Sequence, residues 1–98
     1  MEKSSPHCPL PKVKALTAAG QVRSTVSALA GAAALGLHFD GILEVIQALT
    51  FADFHKSMTT HLDHRVWQDV YRPITPVGEV YLKLVVVDDV LIVSFKEL

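Results

Sequence analysis

Apolar residues recur along this chain with two periods, and the change between them falls at Phe54. Before it the spacing is helical, at three and four residues; after it the spacing approaches two, as in strands. Leu10, Val13 and Leu16 mark a first short helix, with Pro11 suited to its first turn and Gly20 stopping it after Ala19. Ser24 or Thr25 supplies the cap of a second helix, in which Val26, Leu29, Ala30 and Ala33 form an i, i+3, i+4, i+7 stripe ending near Gly36. Asp40 caps a third, whose stripe is Ile42, Val45, Ile46 and Leu49. Thr50 with Asp53 starts one further turn.

The strand half reads FHKSMT from Phe54, then VWQDVYR, then a hairpin from Glu79 to Leu98. PITPVG, with two prolines and a glycine, separates the second strand from the third. In the hairpin, two Val- and Leu-rich runs flank Asp88-Asp89. With those two as the loop, Val87 pairs with Val90. Val86 then faces Leu91, Leu84 faces Val93 and Leu82 faces Phe95, which makes one apolar face. The other face sets Val85 against Ile92, Lys83 against Ser94 and Tyr81 against Lys96. A phenol and an ammonium so placed stand about 5 Å apart at Cβ, within reach of one substrate group. An ordinary solvent face with a rim tyrosine shows the same pattern. In the earlier strands, parity groups Lys56 with Phe54 and Met58, and Gln68 with Val70 and Arg72. Their register against the hairpin does not follow from the pattern.

Helices first and strands second predict an α+β fold, with three N-terminal helices packed on a C-terminal antiparallel sheet of about four strands. The 98 residues fit a single domain, 1–98. Half the residues are hydrophobic and 19% are charged, which is globular rather than disordered composition. Nine basic and ten acidic residues give a net charge of -1, so any attraction to nucleic acid must come from a local patch. Cys8, the one cysteine, excludes an internal disulfide and any multi-cysteine zinc or redox motif, and fits a reducing compartment. The first nine residues lack a signal-peptide core and no apolar run reaches membrane-spanning length, so a cytoplasmic protein is expected.

Three histidines, His55, His61 and His64, fall close together, and with Asp63 they are conceivable metal ligands. An i, i+3 pair shares a face only on a helix, whereas these residues read as a strand end and a loop, so exposed loop histidines are expected. Trp67 and Tyr71 could stack bases, but their shared parity favours packing against the helices.

The segments MEKSSPH, VKAL, AAGQVRST, LGLHFDGIL, FHKSMTTHLDHRVWQDVYR, GEVYLK and DVLIVSFKE resemble the motility quorum-sensing regulator family of bacterial toxins. The resemblance runs from Met1 to Leu98 and is most specific in KSMTT, DHRVWQDVYRP and DVLIVSFK. It implies a RelE-like ribonuclease fold, an mRNA interferase activity that inhibits translation, and pairing with a zinc-containing, helix-turn-helix antitoxin. Operator DNA would be reached only indirectly, through that antitoxin. The family's proposed catalytic positions fall on Lys56, Gln68, Tyr81 and Lys96, and Arg72 matches a basic, RNA-binding position beside them. Members are usually basic; this slightly acidic chain must rely on Lys56, Arg72, Lys83 and Lys96 for phosphate contact.

The chemistry so implied is attack of a ribose 2′-hydroxyl on the adjacent phosphorus, giving a 2′,3′-cyclic phosphate and a 5′-hydroxyl. RNA supplies the nucleophile, so the protein need only align it, move two protons and stabilise developing charge, with no cofactor and no metal. Lys56 or Tyr81 is the expected base, Lys96 and Arg72 the phosphate-holding cations, and Gln68 an orienting group. A phenol is a poor base at its ordinary pKa of about 10, so that role for Tyr81 requires the charge of Lys96. The competing reading is a non-catalytic module that binds an antitoxin and changes its occupancy of operator DNA.

Overall fold

A computed structural model describes all residues, 1–98. Three helices, α1 (Leu10–Ala18), α2 (Val26–Ala34) and α3 (Phe39–Ala48), come before the main sheet, with a short strand ahead of each of the first two. The strands are β1 (Glu2–Lys3), β2 (Val22–Ser24), β3 (Phe54–Thr59), β4 (Trp67–Tyr71), β5 (Ile74–Thr75), β6 (Gly78–Val86) and β7 (Val90–Glu97). Their order in the sheet is β1-β3-β4-β6-β7-β2, with β5 paired to β6. Thus the expected antiparallel sheet of about four strands is a mixed sheet of seven, because β2 runs parallel to β7. The three strands missed have two or three residues each, too few to display a period.

The apolar face of the β6–β7 hairpin forms the floor of the core. Val80, Leu82, Leu84, Val90, Ile92 and Phe95 are buried there with Tyr71, against Leu10 and Val13 of α1, Ala28 and Ala32 of α2, and Ile42 and Ile46 of α3. The expected register holds from Tyr81↔Lys96 to Lys83↔Ser94, and then slips by one, to Leu84↔Ile92, Val85↔Leu91 and Val86↔Val90. Val93 is the extra residue of a bulge, and the loop has three residues, Val87 to Asp89, instead of two. A two-residue hairpin loop needs positive φ in its centre, and no residue other than glycine has one here. The bulge leaves the Val93 carbonyl to accept from the Thr25 hydroxyl at 3.0 Å, while the Ile92 carbonyl accepts from the Thr25 N–H at 3.0 Å. Thr25 is also the N-cap of α2, accepting from the Ala28 N–H at 3.1 Å, so the bulge seats that helix on the sheet.

The face of α2 differs from the expected stripe. Val26 and Leu29 are exposed, at 83% and 39%, while Ala28 and Ala32 are fully buried. The cause is volume: a Cβ placed on Gly31 would stand 1.9 Å from the Phe95 carbonyl oxygen, so only the smallest side chains fit between helix and sheet. The stripe of α3 is buried as expected at Ile42, Ile46 and Leu49, although the helix starts earlier, with His38 as N-cap and Asp40 in its first turn. Thr50 and Asp53 form the expected capping box.

Two buried polar groups mark the helix side of β4. Asp69, 3% exposed, accepts the backbone N–H groups of His7 (2.9 Å) and Cys8 (3.0 Å), which straps the N-terminal segment to the sheet. The Tyr71 hydroxyl is buried without a hydrogen-bond partner, and burial, then the nearby Asp69 and Cys8, push its pKa up.

Gly31→Ala should destabilise the protein by about 2 kcal/mol, which for this size lowers Tm by roughly 10 °C, because the obstacle is backbone. Ala33→Ser, on the exposed side of the same helix, should change Tm little; equal losses from both would refute the close-approach account. Tyr71→Phe should leave stability unchanged or raise it by about 1 kcal/mol, since it removes an unpaired buried hydroxyl. A loss in thermal or urea unfolding would show that the hydroxyl is bonded.

Candidate active site

The strand that fills the core with Leu82 and Leu84 must turn Tyr81, Lys83 and Val85 to the opposite face, because successive side chains alternate. That face is not covered by helices, and the register extends it across four strands. Lys56 pairs with Val70, Val70 with Lys83, and Lys83 with Ser94, so one row crosses β3, β4, β6 and β7. Gln68 belongs to the neighbouring row with Met58, and Tyr81 to the row on the other side with Lys96. Arg72 follows β4 directly, is exposed, and is next in the alternation after Gln68 and Val70; one further step of the register sets it beside Tyr81.

All four expected catalytic side chains, with Arg72, therefore share the open face. At about 4.8 Å per strand, Lys56 and Lys96 stand about 15 Å apart across it. Within it, the Lys96 ammonium lies 5.3 Å from the centroid of the Tyr81 ring, close enough for a cation–π contact. Lys56 donates to the Glu2 carboxylate at 2.9 Å. Lys83, in the centre of the row, is half-buried; burial, then the charge of Lys96, pull its pKa below the ordinary lysine value. Val70 is fully buried on this side although it is outside the helix-side core, which fits coverage by the stems of the long side chains around it.

The cations are thus gathered by topology. Lys56, Arg72, Lys83 and Lys96 come from four separate places in a chain of net charge -1 and meet on one surface, with Glu2 and Glu79 as the carboxylates sharing its alternation. Glu2 is the member that the sequence pattern did not single out. It lies in a polar lead-in, and only pairing of a two-residue strand, Glu2↔Met58, brings it to the face.

The other candidates fall elsewhere. His55, His61 and His64 are exposed, and Asp63 is engaged by Arg65 at 3.0 Å, which holds its carboxyl below the usual range. No three histidine, cysteine or carboxylate groups converge on a point that would hold a metal ion. Trp67 and Tyr71 are on the helix side: Tyr71 is fully buried, and Trp67 stacks on His7 at 5.6 Å with the Lys3 ammonium 4.2 Å over its ring. Neither presents a free face to the cations. A cleft of about 390 Å³ between α3 and the Pro73–Val77 segment contains none of the five expected site residues, so depth and chemistry do not coincide. An open charged sheet suits an extended polyanion better than a small molecule, which would be enclosed. No single helix is long and apolar enough to cross a membrane.

Residues 5–97 match the family model described as "Motility quorum-sensing regulator, toxin of MqsA". The "mRNA interferase toxin MqsR" of Escherichia coli (strain K12) is 61% identical over 97 residues, covering 99% of this chain and 99% of its own.

Because the folded state disfavours the Lys83 ammonium, it binds fewer protons than the unfolded chain between the lowered pKa and the ordinary one, so this term gains stability as pH rises through that window. Lys83→Met should therefore raise Tm at pH 7 by a small amount, about 1–3 °C after solvent screening, with the difference shrinking as pH approaches about 10.5. A lower Tm for the variant at pH 7 would contradict the charge crowding described.

Proposed function

The chain belongs to the motility quorum-sensing regulator toxin family, and from that membership we propose that it is the toxin of a type II toxin–antitoxin pair, an endoribonuclease that cleaves single-stranded mRNA and so inhibits translation. The observation that carries the reading is the convergence of Lys56, Gln68, Tyr81, Lys96 and Arg72 on one open sheet face opposite the helices. The arrangement of helices on one side of a cation-bearing sheet is what a RelE-like ribonuclease fold would offer RNA, and the 98 residues act as one toxin domain. The toxin works in the cytoplasm, where mRNA is translated.

Catalysis proceeds without a metal. The 2′-hydroxyl attacks phosphorus, and Lys56, Lys96 and Arg72 hold the non-bridging oxygens as charge builds on them. Gln68 orients the nucleotide by neutral hydrogen bonds. Tyr81, beside Lys96, donates to the phosphate or to the leaving 5′-oxygen. The partner is a zinc-containing, helix-turn-helix antitoxin, through which the toxin influences operator DNA without touching it.

Cleavage of a defined single-stranded RNA by the purified protein in EDTA tests this, with end-group analysis. The expected product is a 2′,3′-cyclic phosphate, absent with Lys56→Ala. Tyr81→Phe should slow single-turnover cleavage about tenfold if the phenol only donates to phosphate, and at least about a hundredfold if it moves the proton. No cleavage by folded protein, with ribosomes and mRNA added, would leave a non-catalytic antitoxin-binding module as the better account.

A further inference from the structure

Glu2 stands where an RNA-binding surface has reason to exclude it. Its carboxylate accepts from Lys56 at 2.9 Å, and its pairing with Met58 places it on the same face as Lys56. A negative charge there weakens attraction for a polyanion. The contact offers little stability in exchange, because it is an exposed ion pair. Yet the strand that brings it there is pinned at both ends. The Met1 ammonium donates to the Thr59 hydroxyl at 3.2 Å, the Met1 carbonyl accepts from the Thr59 N–H at 3.0 Å, and the Asp69 carboxylate holds His7 and Cys8.

The face also lacks a carboxylate among its assigned groups, so a base drawn from them must be Lys56 or Tyr81 after losing its own proton. Two lysines, an arginine, a phenol and an amide stabilise charge readily, and in the one contact that Lys56 makes it is the donor. Glu79, the other carboxylate of this alternation, sits at the far end of β6 where that strand meets β5.

We propose that Glu2 is a catalytic residue, the general base that removes the proton from the attacking 2′-hydroxyl while Lys56 beside it binds the phosphate. This rests on the ribonuclease reading of the same face. In the step, the 2′-O–H proton moves to a Glu2 carboxylate oxygen, the O2′–P bond forms and the P–O5′ bond breaks. The leaving 5′-oxygen takes a proton from water, and Glu2 then returns its proton to solvent.

The charges acting on Glu2 in the free protein are Lys56, the N-terminal ammonium and His55, and its pKa is lowered chiefly by the Lys56 hydrogen bond and charge. The carboxylate is therefore ionised and ready in the resting protein. A scissile phosphate that draws the Lys56 ammonium to itself removes the main cause of that lowering. Substrate binding thus makes Glu2 a stronger base when the proton must be taken.

The test is single-turnover cleavage by full-length wild type, Glu2→Gln and Glu2→Asp over pH 4–9, with RNA affinity measured on the same proteins. Gln keeps the shape and an oxygen for Lys56, so a role confined to positioning Lys56 would survive it. The expected result is a loss of at least about a hundredfold in cleavage rate for Glu2→Gln, with unchanged or tighter RNA binding, disappearance of the acid limb of the pH–rate profile, and partial activity in Glu2→Asp. Wild-type cleavage with Glu2→Gln equally fast, or slowed with its acid limb intact, overturns the role of Glu2 alone. Absence of cleavage by wild type overturns the ribonuclease reading and this inference with it.

Discussion

The alternation of β6 and β7 is the constraint on which both halves of the molecule depend. Leu82, Leu84, Ile92 and Phe95 are fully or almost fully buried beneath the helices, so the register of the hairpin is fixed by the loss of apolar surface that any slip would expose. The same register leaves Tyr81, Lys83 and Lys96 no direction but the opposite face. Candidate site and core are two sides of one pleat, and the register that burial fixes on one side also sets the spacing of the side chains on the other.

That dependence explains which parts of the structure were legible in the sequence. The Tyr81–Lys96 pairing was, although it follows from a two-residue loop that the structure does not have, because the longer loop and the bulge offset each other before Lys83. The turn half was not, since an Asp-Asp dipeptide does not supply the positive φ of a two-residue loop, and a third loop residue is compensated by the bulge at Val93. On α2, hydrophobicity pointed to Val26 and Leu29, but the controlling quantity was the distance from Gly31 to the Phe95 carbonyl, which only tertiary structure defines. The gathering of Lys56 and Gln68 beside the hairpin likewise required inter-strand registers that no local pattern contains. The family resemblance named those residues, and the register accounts for their sharing a face.

The electrostatics follow from the same arrangement. A nearly neutral chain becomes locally cationic because the pleat sorts its side chains by parity, and the sorting has a cost at Lys83, whose ammonium is both half-buried and close to Lys96. On the reading proposed for this face, function and stability oppose each other there, as expected for a surface that receives an anion. Other ion pairs do structural work: Arg23 and Asp89, in contact at 2.6 Å, tie the parallel strand β2 to the hairpin turn.

The N-terminal segment connects the two faces. Asp69 lies on the helix side of β4, where a carboxylate would be costly without partners, and the His7 and Cys8 N–H groups satisfy it. The chain leading to those groups begins at β1 on the sheet edge, where Glu2 reaches Lys56. A two-residue strand has too few ladder bonds to hold itself in place. Its position is maintained at one end by the Met1–Thr59 contacts and at the other by the buried carboxylate on the far side of the sheet, which helps to keep Glu2 beside Lys56. Asp69 contributes to the cationic face without being on it, by helping to fix the segment that delivers the carboxylate to its edge.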